Sequence, residues 1–125
     1  MAATASPLRL VRTRHTLDAS HLTLGRLSSL AVRYLTGKHK PEYRPNVDLG
    51  DFVTIVNAVP IRLSGRKRWR KIYIRMSGYP GGIRRRSLRE LEASKPADLY
   101  RHAISGMLPN DRHRQQRLRR LTVTR

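Results

Sequence analysis

Leu24, Leu27, Leu30, Ala31, Tyr34 and Leu35 recur at intervals of three and four along TLGRLSSLAVRYLTGKHK. That spacing places them on one face of an amphipathic helix. Thr23 stands where an N-cap is preferred, and Gly37 stands where a helix stops, followed by cations. Gly25 in the first turn costs about 1 kcal/mol against Ala. The period then changes. DFVTIVNAV, Asp51–Val59, is a continuous apolar run rich in β-branched residues. It predicts a strand covered on both faces, as in a parallel sheet, and Pro60 ends it. RWRKIYIRMS, Arg68–Ser77, alternates Trp69, Lys71, Tyr73 and Arg75 with Arg70, Ile72, Ile74 and Met76. This predicts a half-exposed strand with a basic outer face.

GYPGGIRRR, with three glycines and a proline, reads as a loop. SLRE, Ser87–Glu90, matches a capping box that opens a short helix, which Lys95-Pro96 breaks. Pro96 suits the first turn of the next helix, with Asp98 favourable near its positive end. Leu99, Ala103, Ile104 and Met107 form the buried stripe of that helix, and Gly106 and Pro109 close it. NDRHRQQRLRRL predicts a short basic helix anchored by Leu118 and Leu121, and TVTR a final strand or tail. Upstream, RHTLDA predicts a short first strand ending at Asp18.

The order predicts an α/β fold: a small, mainly parallel sheet flanked by helices, with basic N- and C-terminal extensions. At 125 residues the chain has the length of one domain. We expect residues 14–125 to form that domain, with a basic helix and tail from about residue 110. Residues 1–13 would form a basic arm or a short import signal. One connection stands out. KHKPEYRPNVDLGD, Lys38–Asp51, is much longer than the usual 4–6 residues or so. Its cations cluster at one end and its aspartates at the other. Pro41 and Pro45 keep the residues before them extended.

Charge narrows the function. There are 27 Lys and Arg against 8 Asp and Glu, a net charge of +19. Self-repulsion at that level calls for a polyanion. No stretch approaches the ~18 apolar residues of a membrane helix, so nucleic acid is favoured over a membrane. Arginine supplies 22 of the 27 cations. Its planar fork grips phosphate through two bonds and stacks on bases, although a GC-rich genome gives the same bias. With no cysteine, disulfides and thiolate metal sites are excluded.

Eleven Lys or Arg and no acid lie between Arg62 and Arg89, and six Arg and no acid between Arg112 and Arg125. Trp69, Tyr73 and Tyr79 lie among the first group and offer stacking surfaces; Tyr73 reads equally as a half-buried sheet residue. Gly81-Gly82 present backbone N–H groups that can form an anion nest. Arg84, Arg85 and Arg86 bring charge to the start of the helix that Ser87 caps, where anions are welcome. Catalytic signals are absent: there is no G-x-S-x-G, Walker loop or H-E-x-x-H. His15, His21, His39, His102 and His113 show no metal spacing, so no metal or cofactor is expected. Asp48, Asp51 and Glu42 can be imagined as a Mg²⁺ nuclease set, but turn capping and charge balance with Lys38, Lys40 and Arg44 account for the aspartates.

Three blocks, GKHKPEYRPNVDLGDFVTIVNA, SGYPGGIRRR and AISGMLPND, resemble in order and interval the large-subunit ribosomal protein thirteen family. The resemblance runs from about Leu17 to Val123. It implies an α/β fold with a small parallel sheet and an early-binding, non-enzymatic protein of the large ribosomal subunit. Its implied partners are large-subunit ribosomal RNA and neighbouring ribosomal proteins, with no membrane and no small-molecule substrate. It also implies RNA-facing positions: Lys38, His39, Lys40 and Tyr43 in the first block, Gly81, Gly82 and Arg84 in the second, Met107, Leu108 and Pro109 in the third. Charge alone adds Arg44, Arg66, Lys67, Arg68, Arg85, Arg86, Arg112 and Arg114. A regulator that binds RNA outside the ribosome, on the same fold, is the alternative.

The departures from the family pattern are informative. Where it usually reads tryptophan-tyrosine before the first aspartate-alanine, this chain has Arg14 and His15. Where many bacterial members have leucine-glycine-arginine after M-L-P, this chain has His113-Arg114, and the bacterial tail beyond the last strand is absent. GYPGG and the run after M-L-P look more like mitochondrial members. The first 20 residues, with one acid and several Ser, Thr and Arg, have the composition of a transit peptide. A mitochondrial ribosome is therefore the expected location, ahead of a bacterial cytoplasm or a plastid. The family match leaves room for only a very short cleaved presequence.

Overall fold

A computed structural model describes residues 10–125. Most of the expected N-terminal arm, residues 1–9, lies outside the described residues. The elements are β1 (Arg14–Asp18), α1 (Leu24–Thr36), β2 (Phe52–Val56), a single turn α2 (Lys67–Arg70), β3 (Ile72–Met76), β4 (Ile83–Ser87), α3 (Leu88–Ser94), α4 (Pro96–Met107), α5 (Arg114–Arg119) and β5 (Leu121–Val123). Strands β1, β2 and β5 form a parallel sheet with β2 at its centre. Strands β3 and β4 form a separate antiparallel ribbon.

The helical spacing of α1 does what it predicts. Leu24, Leu27, Ala31 and Leu35 are buried, with Leu30 and Tyr34 at the margin. Thr23 is the N-cap, and Gly37 ends the helix in the left-handed conformation at φ 83°. There its N–H and that of Lys38 donate to the carbonyls of Tyr34 and Arg33. In β2, Val53 and Ile55 point into the core while Thr54 and Val56 are half-covered, and Phe52 is exposed. The strand is thus covered unevenly on its two faces, because the large helices α1 and α4 share the Val53–Ile55 side of the core. Leu88, Leu99, Tyr100, Ile104, Leu108 and Leu121 complete that core. Each such side chain stabilises the fold by about 1.5–3 kcal/mol.

Three expectations need correction. First, the strand expected over Arg68–Ser77 begins only at Ile72. Lys67–Arg70 instead makes a helical turn, with the Trp69 and Arg70 N–H groups donating to the Arg66 carbonyl. Second, the stretch read as a loop through Arg86 contains a strand. Gly78 and Gly81, at φ 86° and 75°, compress the turn into Ser77–Gly82. The Ser77 N–H donates to the Gly82 carbonyl at 3.0 Å, and Ile83–Ser87 is then free to pair with β3. Third, the alternation of β3 is turned over. Tyr73 faces the body of the protein and meets the His102 ring edge-on at 5.0 Å. Ile72, Ile74 and Met76 are 56, 63 and 74 % exposed. Nothing in the strand's own sequence says which face meets the helices. Similarly, α4 buries Leu99 and Ile104 as expected, but it also buries Tyr100 and leaves Met107 exposed.

The loop that enters β2 passes very close to α1. A Cβ added at Gly50 would stand 1.7 Å from the Leu35 carbonyl oxygen and 2.5 Å from its carbon. Both are backbone atoms and cannot swing aside. Gly50→Ala is therefore expected to destabilise the protein by about 1–3 kcal/mol or more, whereas Gly25→Ala, in open space, is expected to stabilise it by up to ~1 kcal/mol. Chemical denaturation of the two variants checks this; equal midpoints would contradict the packing.

Candidate nucleic-acid interface

The loop Lys38–Asp51 folds back on its own origin. The Lys40 N–H donates to the Gly37 carbonyl, the Tyr43 N–H to Lys40, and the Asp51 N–H to Tyr34 at 3.0 Å. This return places two carboxylates at the mouth of the central strand. Asp51 is fully buried. Its Oδ1 accepts from the Lys40 ammonium and, at 3.2 Å, from the Thr13 N–H; its Oδ2 accepts from the Thr13 hydroxyl at 2.8 Å and faces His15 Nε2 at 2.9 Å. His39 Nε2 stands 2.9 Å from the same Oδ2. The His15 ring stacks on Tyr34 at 4.1 Å. Burial pushes the Asp51 carboxyl up, but the bonds from Lys40, His15 and Thr13 outweigh it and hold the group far below the usual carboxylate range.

Asp48 takes the other side. Arg120 grips it through two bonds of 2.6 and 2.7 Å, the bidentate geometry at which arginine excels. Arg117 and Arg12 approach within 3.7 Å. Burial again pushes the carboxyl up, and the Arg120 bonds with the nearby guanidinium charges bring it below its ordinary value. Arg117 and Arg120 are themselves buried, and Arg117 also pairs with Asp111 at 3.1 Å. The C-terminal block of six arginines is thus not a uniformly solvated face. Two of its members form the interior, and β5 belongs to the sheet. A Mg²⁺ nuclease would need Asp48 and Asp51 to share one ion; here each is held by its own cations.

The residues expected to face RNA are dispersed by the fold into two groups. His39 and Lys40 turn their polar atoms toward Asp51. Arg68 pairs with Glu92 at 3.1 Å and bonds the Ile61 carbonyl. Arg114 bonds Ser105 and Asn110, and Leu108 is buried. Lys38, Arg44, Arg66, Lys67, Arg84, Arg85, Arg86, Met107, Pro109 and Arg112 are exposed, with Tyr43 half-covered. Gly81 and Gly82 lie in the hairpin turn, but the Gly82 N–H donates to the Tyr79 carbonyl and is not free to cradle an anion.

Arg84, Arg85 and Arg86 do not form one cluster at a helix start. They lie on β4, and only Ser87 reaches α3, accepting the Glu90 N–H at 3.3 Å. Strand alternation divides them. Arg84 opposes Arg75 and Arg86 opposes Tyr73, so these share the face turned toward α4; Arg85 opposes Ile74 on the other face. Between the first face and α4 runs an open groove of about 1080 Å³, lined by Lys71, Arg75, Arg84, Arg86, Asp98 and His102. Arg75 and Lys71 join the set that charge counting did not single out. Recognising the hairpin turn would have paired Arg75 with Arg84. Trp69 is exposed and carries the Arg89 guanidinium at 5.1 Å from its ring.

Comparison with known proteins agrees with this architecture. Residues 12–125 match the family model described as Ribosomal protein L13. A chain from Rubrobacter xylanophilus is 42 % identical over 119 residues, covering 95 % of this chain and 83 % of that one. One from Mycolicibacterium smegmatis is 46 % identical over 112 residues, covering 90 % and 76 %. One from Alkaliphilus metalliredigens is 48 % identical over 107 residues, covering 86 % and 75 %. Each of these relatives is named large ribosomal subunit protein uL13.

The two carboxylates make the fold acid-sensitive. Both are held below the ordinary carboxylate value of about 3.9. The unfolded chain therefore binds more protons as acid is added, and the stability they contribute is fully present above that value. It is lost as pH falls through the folded values. Unfolding free energy is expected to begin falling near about pH 5 and to keep falling as pH drops past the ordinary carboxylate value toward the folded ones. Asp51→Asn is expected to cost about 3–5 kcal/mol at neutral pH, since it leaves buried donors around a neutral group, and to flatten the acid limb. Denaturant titrations of both chains across this range check it.

Proposed function

The chain belongs to the ribosomal protein L13 family, and on that premise we propose that this structural, non-enzymatic component of the large ribosomal subunit binds large-subunit ribosomal RNA through its hairpin and the cations around it. The observation that carries the reading is the partition of charge. Asp48, Asp51, Glu92 and Asp111 are paired with Arg117, Arg120, Lys40 and Arg68 within the fold. The net charge of +19 is consequently displayed by the exposed arginines and lysines, above all those of α2, β3 and β4.

Phosphate neutralisation would supply most of the affinity, with release of counterions. Specificity would come from the shape of a folded RNA, whose backbone and minor-groove edges are offered more than its bases. Lys38 and Arg44 on the long loop, Arg66 and Lys67 at the start of α2, Arg84 to Arg86 on β4, and Arg112 before α5 are the proposed contacts. His39, Lys40, Arg68 and Arg114 would shape that surface from within, together with Tyr43 and the M-L-P turn Met107, Leu108 and Pro109. The proposal takes residues 14–125 as one domain, with the basic segment after about residue 110 built into it.

A mitochondrial ribosome is the finer part of the proposal. The composition of the first 20 residues, the GYPGG turn and the His113-Arg114 run support it; the similarity to bacterial chains favours a bacterial ribosome instead. Gradient fractionation of mitochondria from the source organism distinguishes them. Co-sedimentation with the organellar large subunit is expected, and absence from the organelle would place the protein in a bacterial or plastid ribosome.

Replacing Arg84, Arg85 and Arg86 together with Ala is expected to weaken RNA binding and to flatten the dependence of log K on log salt by up to about 3 units. Lys40→Ala should lower stability and leave that slope nearly unchanged. Titrations at several salt concentrations read both; an unchanged slope in the triple variant would remove the hairpin from the interface.

A further inference from the structure

We propose that His15, His39, Asp51 and Thr13 form a binding site for one zinc-class divalent cation. The two imidazole nitrogens and the carboxylate oxygen lie within 4.8 Å of one another. Each His Nε2 is 2.9 Å from Asp51 Oδ2. Thr13 Oγ1 is 2.8 Å from that oxygen and 3.0 Å from His15 Nε2. Two imidazoles, a carboxylate and a second oxygen suit a borderline ion that prefers tetrahedral N and O ligands. At bond lengths of about 2.0–2.1 Å, tetrahedral ligand atoms stand about 3.3 Å apart. The two 2.9 Å contacts to Asp51 have to open by about 0.4 Å to reach that spacing.

The arrangement is over-supplied with donors. Five groups converge on Asp51: the Thr13 N–H and hydroxyl, both imidazoles and the Lys40 ammonium. A carboxylate has about four lone-pair sites, and Oδ2 alone faces three of the five. A cation relieves that crowding. Each imidazole would turn an Nε2 lone pair to the ion and carry its proton on Nδ1, which for His39 is buried without a hydrogen-bond partner. Oδ1 stays with Lys40 and the Thr13 N–H, the kind of outer support that orients a ligating carboxylate. The His15 ring is already fixed against Tyr34, and His39 meets both rings edge-on. The ligands come from the approach to β1, β1 itself, the long loop and the entry to β2, so the ion would join segments far apart in sequence.

Lys40 and the net charge of +19 oppose a cation. Binding should therefore be weaker than at closed thiolate sites, and it should tighten with added non-coordinating salt, which screens the repulsion. RNA binding has the opposite salt dependence, which keeps the two sites distinguishable.

The test is calorimetric titration of the metal-stripped full chain with ZnCl₂, together with the visible spectrum of the CoCl₂ complex. One ion per chain and tetrahedral Co²⁺ bands are expected. His15→Tyr should weaken binding by about 100-fold or more, and Thr13→Val by about tenfold. The combined variant His21→Gln, His102→Gln, His113→Gln should bind like the parent chain. Circular dichroism without metal establishes that each variant is folded, and His39→Gln replaces His15→Tyr if that one is not. Absence of binding, an octahedral Co²⁺ spectrum, or affinity unchanged on loss of either imidazole would overturn the site.

Discussion

Two carboxylates three positions apart, Asp48 and Asp51, hold the parallel sheet from its centre. Asp51 gathers the approach to β1 through Thr13 and His15. Asp48 gathers the end of α5 and the start of β5 through Arg120 and Arg117. Strand β2 lies between them, paired to β1 on one side and β5 on the other. Parallel edge strands so short have few ladder bonds of their own, and the ion pairs fix their ends. A buried pair is costly to desolvate and costly to break. Its role here is therefore positional: it specifies where the two chain ends meet the middle of the sheet.

That interior use of acid explains the surface. A chain with 8 acids and 27 cations cannot neutralise itself. It places several of its acids where the fold needs them and leaves the rest of its cations facing outward. The antiparallel hairpin makes the result directional. One face carries Arg75, Arg84 and Arg86 across from α4, and the other carries Ile72, Ile74, Met76 and Ile83 around Arg85. The first face is the one that the proposed RNA would meet through its phosphates.

Much of this was legible in the residues. The three-four spacing of Leu24 to Leu35, the β-branched run after Asp51 and the capping signal at Ser87 each depend on contacts within a few positions, and each element formed where its local chemistry placed it. The hairpin was not legible as a hairpin. Arg84 to Arg86 have no apolar alternation of their own, and they become a strand only because Gly78 and Gly81 bring them alongside Ile72 to Met76. The candidate interface was legible as charge but not as geometry. A row of cations does not reveal that Lys40, Arg68, Arg117 and Arg120 have internal partners while Lys38, Arg44 and Arg84 do not turn inward.

The sequence by itself determined the α/β class, the family, the limits of α1, α3 and α4 and the excess of positive charge, because these rest on periodicity, local caps and composition. Tertiary structure alone decided which cations remain for a partner, which face of the hairpin meets the helices, and that His15, His39 and Asp51 share one small volume. Those outcomes depend on residues as far as 72 positions apart meeting in space, and an ion pair or a ligand set is defined by distance between atoms rather than by order along the chain.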